Sequence, residues 1–208
     1  IRSQATKDRL AELCGKQAHV AQSSLFLVFC ADLYRLSRIN RAKGYRFTGE
    51  YTELALVATV DTALVAGRGL MAAQALGLGG VMVGSIRNQP EEVTKLLSLP
   101  ELTYAVMGMS LGYPAALPKI KPRLPMEAVY CREQYSDAQF DEATAKYDET
   151  TVNGGHLKGR EVQVGDYPNF RGDYNWSEHS ARRLANLSPT ALRPFMKKYL
   201  ESQGLMLK

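Results

Sequence analysis

Leu76-Gly77-Leu78-Gly79-Gly80-Val81-Met82-Val83-Gly84-Ser85 holds the change of structure on which the rest of the chain hangs. Gly77, Gly79 and Gly80 stop a helix, the triplet Val81, Met82 and Val83 reads as a short buried strand, and Gly84-Ser85 ends it. A dinucleotide fingerprint starting at Gly77 needs glycine where Met82 stands, and it runs from strand to helix rather than from helix to strand. A phosphate loop over Gly79 to Gly84 needs Lys next, and the residue is Ser85. What remains is mechanical. At a strand end, Gly84-Ser85 leaves backbone N–H groups that a flat ligand can approach closely.

Upstream, residues 49–78 follow a helical pattern through Leu54, Val57, Leu64, Val65, Leu70 and Met71. About 25 such residues span about 38 Å. The helix is apolar nearly all round, but a membrane span would bury Asp61 and Arg68 at about 2.5 to 3.5 kcal/mol each. A helix through the domain centre or at a dimer interface is the expectation. Residues 24–31 (SLFLVFCA) read as a central strand buried on both faces, and residues 8–14 as a short amphipathic helix ended by Gly15. Downstream, residues 89–97 read as a helix entered at Pro90 with Glu91 and Glu92 in its first turn, and residues 104–111 as a second buried strand. Pro114, Pro118, Pro122 and Pro125 then demand an extended arm. Residues 128–131 suggest a short strand, 137–150 a polar helix, and 176–185 and 189–202 two closing helices. Residues 153–175 are the least regular, a length of loop that is usually functional or disordered. The expectation is an α+β fold in one domain over residues 1–208, with 113–175 as an arm and excursion.

The 208 residues carry 26 Lys+Arg against 21 Asp+Glu, and 45% are apolar and 23% charged, which excludes a disordered or collagen-like chain. Cys14, Cys30 and Cys131 are odd in number and widely spaced, which fits a reducing, cytoplasmic setting and no metal site. No apolar signal segment opens the chain, which starts at Ile1 without Met, so a segment is expected upstream. Arg35, Arg38, Arg41, Lys43 and Arg46 gather around Leu36, Ile39 and Tyr45, first a solvated loop or helix turn and only second a footprint for phosphate. Two further features join Gly84-Ser85 as candidate sites. Lys121-Pro122-Arg123 holds two cations on a stiff backbone, suited to a phosphate or to solvent. Gln17 and His19 precede the first strand and could face one ligand, or serve as caps.

Taken in order, residues 15–22 (GKQAHVAQ), 29–32 (FCAD), 60–63 (VDTA), 76–81 (LGLGGV) with Gly84 and Arg87-Asn88, 93–97 (VTKLL), 111–114 (LGYP) and 121–125 (KPRLP) closely resemble the FMN-dependent nitroreductase superfamily. The resemblance is nearest to its oxygen-insensitive NADPH nitroreductase and NADPH-flavin oxidoreductase branch. Weaker echoes follow at Tyr147-Asp148-Glu149 and at Trp176-Ser177-Glu178-His179.

The resemblance implies a mixed β-sheet packed on long helices and an obligate homodimer with FMN at the subunit interface. It implies that Gln17 bonds the flavin pyrimidine edge with His19 close by. Met82, Val83, Gly84 and Ser85 would line the ring, with N–H groups near Gly84 facing N5 and O4, and Lys121 and Arg123 would hold the phosphate. Ser85 stands where the family usually has Gly. The implied activity is transfer of two electrons from NADPH to a nitroaromatic, quinone or flavin acceptor in ping-pong order. The flavin carries that chemistry, so no protein nucleophile, general base or metal is nominated. The family's NADPH-binding arginines lie between the two weaker echoes, where Lys158, Arg160 and Arg171 are candidates by proximity. The family also grips FMN through an N-terminal basic and serine segment that precedes the stretch matched here. The alternatives are a flavin-binding module without turnover and a basic nucleic-acid binder working through residues 35–46.

Overall fold

In the computed structural model, which describes every residue except 117–119, 166–171, 186–187 and 189–191, three strands form one sheet. They are β1 (Leu25–Asp32), β2 (Gly79–Val83) and β3 (Thr103–Gly112), in the order β1-β3-β2. β3 pairs antiparallel with both neighbours, from Leu25↔Leu111 to Asp32↔Thr103 on one side and from Gly79↔Gly112 to Val83↔Gly108 on the other. The sheet expected to be mixed is therefore antiparallel throughout the described residues. β1 and β2 do run the same way, but they flank β3 and share no ladder.

This order also corrects the expectation for residues 24–31. β1 is an edge strand in which only Phe26 and Ala31 are fully buried, whereas β3 is buried at almost every position. A continuous apolar run signals covered faces but says nothing about which edges are paired. β2 is likewise less buried than expected, with Val81 exposed and Val83 in the core.

Eight helices are described: α1 (Gln4–Leu13), α2 (Ala18–Gln22), α3 (Tyr34–Ala42), α4 (Thr52–Ala75), α5 (Pro90–Leu97), α6 (Phe140–Asn153), α7 (Trp176–Ala185) and α8 (Met196–Ser202). The Ser3 hydroxyl caps α1 by accepting from the Thr6 N–H at 3.4 Å, and Gly77, at φ +76°, takes the left-handed turn after α4. Of the loop or helix turn expected for the basic stretch, the helix forms, as α3. There Arg35 pairs with Asp32 at 2.8 Å, while Arg46 beyond it pairs with Glu50 at 3.2 Å. The strand expected at 128–131 is absent from the described residues. Met126–Ala128 form one 3-10 turn after Pro125, and no neighbouring strand offers a ladder. Of the helix expected at 189–202, residues 189–191 lie outside the described residues, and so does Pro118 of the arm.

The chain divides into two compact units, Ile1–Ala116 with Arg193–Lys208, and Leu117–Leu192. In the first, Leu10, Leu13, Cys14, Val20, Phe26, Val83, Ile86 and Val93 form one core under the sheet. A second gathers Ala31, Leu33, Ala55, Tyr104, Val106, Tyr199 and Leu205. Burying a side chain such as Phe26 or Leu10 contributes about 1.5 to 3 kcal/mol. Gly80 is a packing glycine: a Cβ there would lie 2.6 Å from Leu70 Cδ1 and 2.8 Å from Leu111 Cδ2, so it lets α4 close on the sheet. In the second unit the two weaker sequence echoes touch. Tyr147 meets Trp176 edge to face at 5.4 Å, and Asp148 Oδ1 accepts the Ser177 N–H at 2.8 Å.

For α4, the first of the two expected placements, through the domain centre, does not form. It does not run buried through the unit: of its 24 residues only Ala55, Thr62, Ala66 and Ala73 are buried, while Leu64 and Met71 are 62% and 70% exposed. By length and composition alone it could cross a membrane.

Candidate functional site

The candidate site grows from the end of β2. Gly84–Arg87 turn as a short 3-10 helix, whose first N–H groups have no intrahelical partner. A Cβ on Gly84 would meet only the Arg87 guanidinium, 3.6 Å away, so the backbone there is open to close approach. The Arg87 guanidinium donates to the Val106 carbonyl of β3 and braces the turn from the sheet side. Burial, with Arg193 close by, lowers its basicity.

The loop between α1 and α2 packs against this turn. Gly15, at φ +81°, lies with its would-be Cβ 3.5 Å from Asn88 Nδ2, and Lys16 follows at φ 61°. The Ser85 hydroxyl is buried without a hydrogen bond of full geometry and acts on the Cys14 thiol beside it. The side chain that stands in place of the family's glycine thus fills the core side of the turn. Gln17 occupies the N-cap of α2, half-buried, and its side chain makes no capping bond. His19, exposed on α2, is tied to β3 through Nδ1 and the Ser110 hydroxyl at 3.1 Å, and Ser110 is the register partner of Val81 in β2. His19 is therefore tied to the central strand of the sheet, and Gln17 opens the same short helix. Met82 is half-buried against the third apolar cluster, and Val83 is buried in the core at 1% exposure.

Lys121 and Arg123 lie in the second unit. Both are exposed, and among the described residues neither pairs with a carboxylate. Arg123 donates to the Lys121 and Pro122 carbonyls at 3.3 and 3.2 Å, while Tyr147 Oη of α6 donates to the Pro122 carbonyl at 3.2 Å and pins the arm between the two cations. Lys158 and Arg160 follow α6 on an exposed turn, and Arg171 lies outside the described residues. Beside that turn the Tyr174 hydroxyl meets His179 Nδ1 at 3.2 Å. Burial, then the Arg183 and Arg160 charges, hold the His179 imidazole below its ordinary range.

Ser110 was not singled out from the sequence, and Tyr147 stood there only within a weaker echo, with no role of its own. A serine in an otherwise apolar strand and a tyrosine facing an arm of prolines were the only signals, and neither names its partner 91 or 25 residues away. Asn88 is a third case. Its Oδ1 accepts two bonds from Arg193, from Nε at 3.0 Å and from an η nitrogen at 2.8 Å, which joins the end of the turn to the chain entering α8.

Helices around a small antiparallel sheet, with an open glycine turn at the end of its short edge strand, define an α+β scaffold that presents backbone to a planar ligand. Residues 1–113 match the Nitroreductase family, and residues 121–208 match the Nitroreductase family, C-terminal domain. The chain belongs to the nitroreductase family. It is 39% identical to the oxygen-insensitive NADPH nitroreductase of Salmonella typhimurium over 98% of this chain and 78% of that protein. It is 35% identical to the NADPH-flavin oxidoreductase of Vibrio harveyi over 96% of this chain and 75% of that protein. Among solved structures, nitroreductase A from Vibrio parahaemolyticus superposes with a TM-score of 0.84 at 34% identity, covering 100% of this chain and 78% of that one.

Proposed function

We propose that this chain is an FMN-dependent oxidoreductase that passes two electrons from NADPH to nitroaromatic, quinone or flavin acceptors. It works in the cytoplasm as a homodimer, and donor and acceptor use one site in turn. The observation that carries the reading is the open turn at Gly84 in a chain of this family, with His19 tied to β3 in the same unit. The residues present fit FMN: open backbone for a flat ring, a free amide at Gln17, and two cations on a stiff arm for a phosphate.

The hydride chemistry belongs to bound FMN. The chain supplies position and field. Gln17 holds the pyrimidine edge, with His19 kept in place by Ser110. Met82, Val83, Gly84 and Ser85 present backbone to the ring, and their N–H groups favour negative charge on it. Lys121 and Arg123 grip the phosphate, with Pro122 held by Tyr147 so that little entropy is lost on binding. Lys158, Arg160 and Arg171 are the candidates for the NADPH phosphates. The exposed face of α4 supports the homodimer, because an apolar surface of that length calls for a cover.

The test is an absorption spectrum of the purified protein with FMN, before and after NADPH. A bound flavin spectrum that bleaches on NADPH and recovers with a quinone is the expected result. FMN bound but not bleached would mark a binding module without turnover, and protein that ignores FMN would overturn the reading.

A further inference from the structure

The turn after α6 carries the exposed cations Lys158 and Arg160, and its backbone is held at several points. The Arg160 N–H donates to the Leu157 carbonyl at 3.0 Å, and the Gly159 N–H donates to Glu161 Oε1 at 3.1 Å. A further hold comes from 12 residues on, where the Tyr174 hydroxyl accepts the Val162 N–H at 3.0 Å. That hydroxyl lies 3.2 Å from His179 Nδ1 on α7, with the two rings edge to face at 5.8 Å. The Arg160 carbonyl bonds the same imidazole. One histidine thus holds residues 160–162 at both ends, directly at Arg160 and through Tyr174 at Val162.

A hydroxyl proton aimed at Nδ1 needs that nitrogen bare, so the ring is neutral and its other nitrogen donates to the Arg160 carbonyl. The surroundings favour this state. Arg183 on the same helix and Arg160 on the turn act on the ring as like charges. Nearby carboxylates are already engaged: Glu178 with Arg182, Glu161 with the Gly159 N–H, and Asp148 of α6 with the Ser177 N–H. α7 is itself anchored to α6 at Trp176 and Ser177, so the histidine stands on a fixed base.

We propose that His179 and Tyr174 are positioning residues, which hold residues 160–162 on α7 while the ring is neutral and so preset Lys158 and Arg160 for a phosphate of NADPH. This rests on the reading above that these cations take the donor's phosphates, and it gives that site a latch that responds to pH. A proton gained at Nδ1 turns the acceptor into a donor, forces the tyrosine proton elsewhere, and sets a third cation beside Arg160 and Arg183. The latch is therefore closed at neutral pH and loosens as pH falls below the ordinary histidine value of 6.5.

Steady-state kinetics of the FMN-loaded enzyme with NADPH and a quinone, from about pH 5 to about pH 8, test the latch. KM for NADPH rises as the solution is acidified, and kcat holds. Tyr174→Phe keeps the ring but loses the bond to Val162, so its KM at the alkaline end is about 3- to 10-fold higher, the worth of one hydrogen bond, with kcat unchanged. His179→Gln, neutral throughout and still able to accept and donate, keeps a low KM and loses the pH dependence. Trypsin reads the turn without turnover: Tyr174→Phe is cut after Lys158 and Arg160 faster than the unaltered chain. Equal cutting rates would show that the latch does not hold the turn. An unchanged KM in Tyr174→Phe, or a pH dependence that survives in His179→Gln, would show that the donor does not use it. Each of these overturns the proposal and leaves the oxidoreductase reading standing, whereas bound FMN that NADPH bleaches at no pH overturns that reading as well.

Discussion

Burial pushes the Cys14 thiol up to about 11, with the Ser85 hydroxyl offsetting part of the rise, and burial followed by the Asp32 carboxylate pushes Cys30 up to about 11. Cys131 is exposed, accepting the Ser136 N–H and donating to the Ser136 carbonyl. At pH 8 a disulfide reagent should therefore modify Cys131 first and the other two only on unfolding; three thiols reacting at one rate would contradict this. The sign of the pH effect follows from the same shift. A thiol with a raised folded value binds its proton more tightly in the fold, so its stabilisation is full below the ordinary thiol value of 9.0 and is lost as pH climbs through about 11. Denaturant midpoints should fall between those values, and less steeply in Cys14→Ala corrected for its packing loss. Gly108 is a different kind of constraint, because a Cβ there would overlap the Phe26 ring. Gly108→Ala should cost about 1 to 3 kcal/mol by overpacking, read as a lower melting temperature. At the proposed phosphate site, Arg123→Ala should weaken FMN binding by roughly 10- to 100-fold, the value of a charge-assisted bond. Unchanged affinity in a fluorescence titration would show that the phosphate lies elsewhere.

Among the elements, legibility followed how local the signal was. The helix at 176–185 was readable to the residue, and α5 to within one, because Pro90 and the acidic pair Glu91 and Glu92 mark a helix start without help from the rest of the chain. The strand positions were also legible, but their rank in the sheet was not. SLFLVFCA and YAVMGMSL look alike as sequences, and only pairing makes β3 central and β1 an edge. α3 reads as either a loop or a helix turn, because its cations mask an ordinary amphipathic pattern. α4 was legible as a helix, but two placements stayed open, since an apolar surface reads the same whether its own chain or another covers it. Of the candidate site, the glycine turn and Gln17 were visible locally. The roles of Ser110, Tyr147 and Asn88 depend on partners brought from 25 to 105 residues away, which no spacing rule encodes.

At the scale of the whole molecule, the first unit is assembled from two separated stretches, and residues 193–208 are integral to it. Tyr199 and Leu205 are 2% and 1% exposed in the core with Tyr104 and Val106, and the Thr94 and Tyr199 hydroxyls meet at 2.7 Å. The Lys208 carbonyl accepts from both the Thr52 N–H and hydroxyl at the start of α4. A chain cut after Leu192 should therefore lose about 2 to 5 kcal/mol for each large core side chain removed, and with it cooperative unfolding by circular dichroism. A melt as sharp as that of the intact chain would show that this unit stands without its last stretch. The sheet order has a consequence during synthesis as well. Because β1 and β2 form their ladders with β3 alone among the described strands, neither has one until β3 emerges, and the 80 residues from Asp32 to Gly112 take about 4 to 16 s to translate. For that interval SLFLVFCA leaves the ribosome as an unpaired apolar strand. The nascent chain is then most in need of a chaperone's cover before its catalytic parts exist.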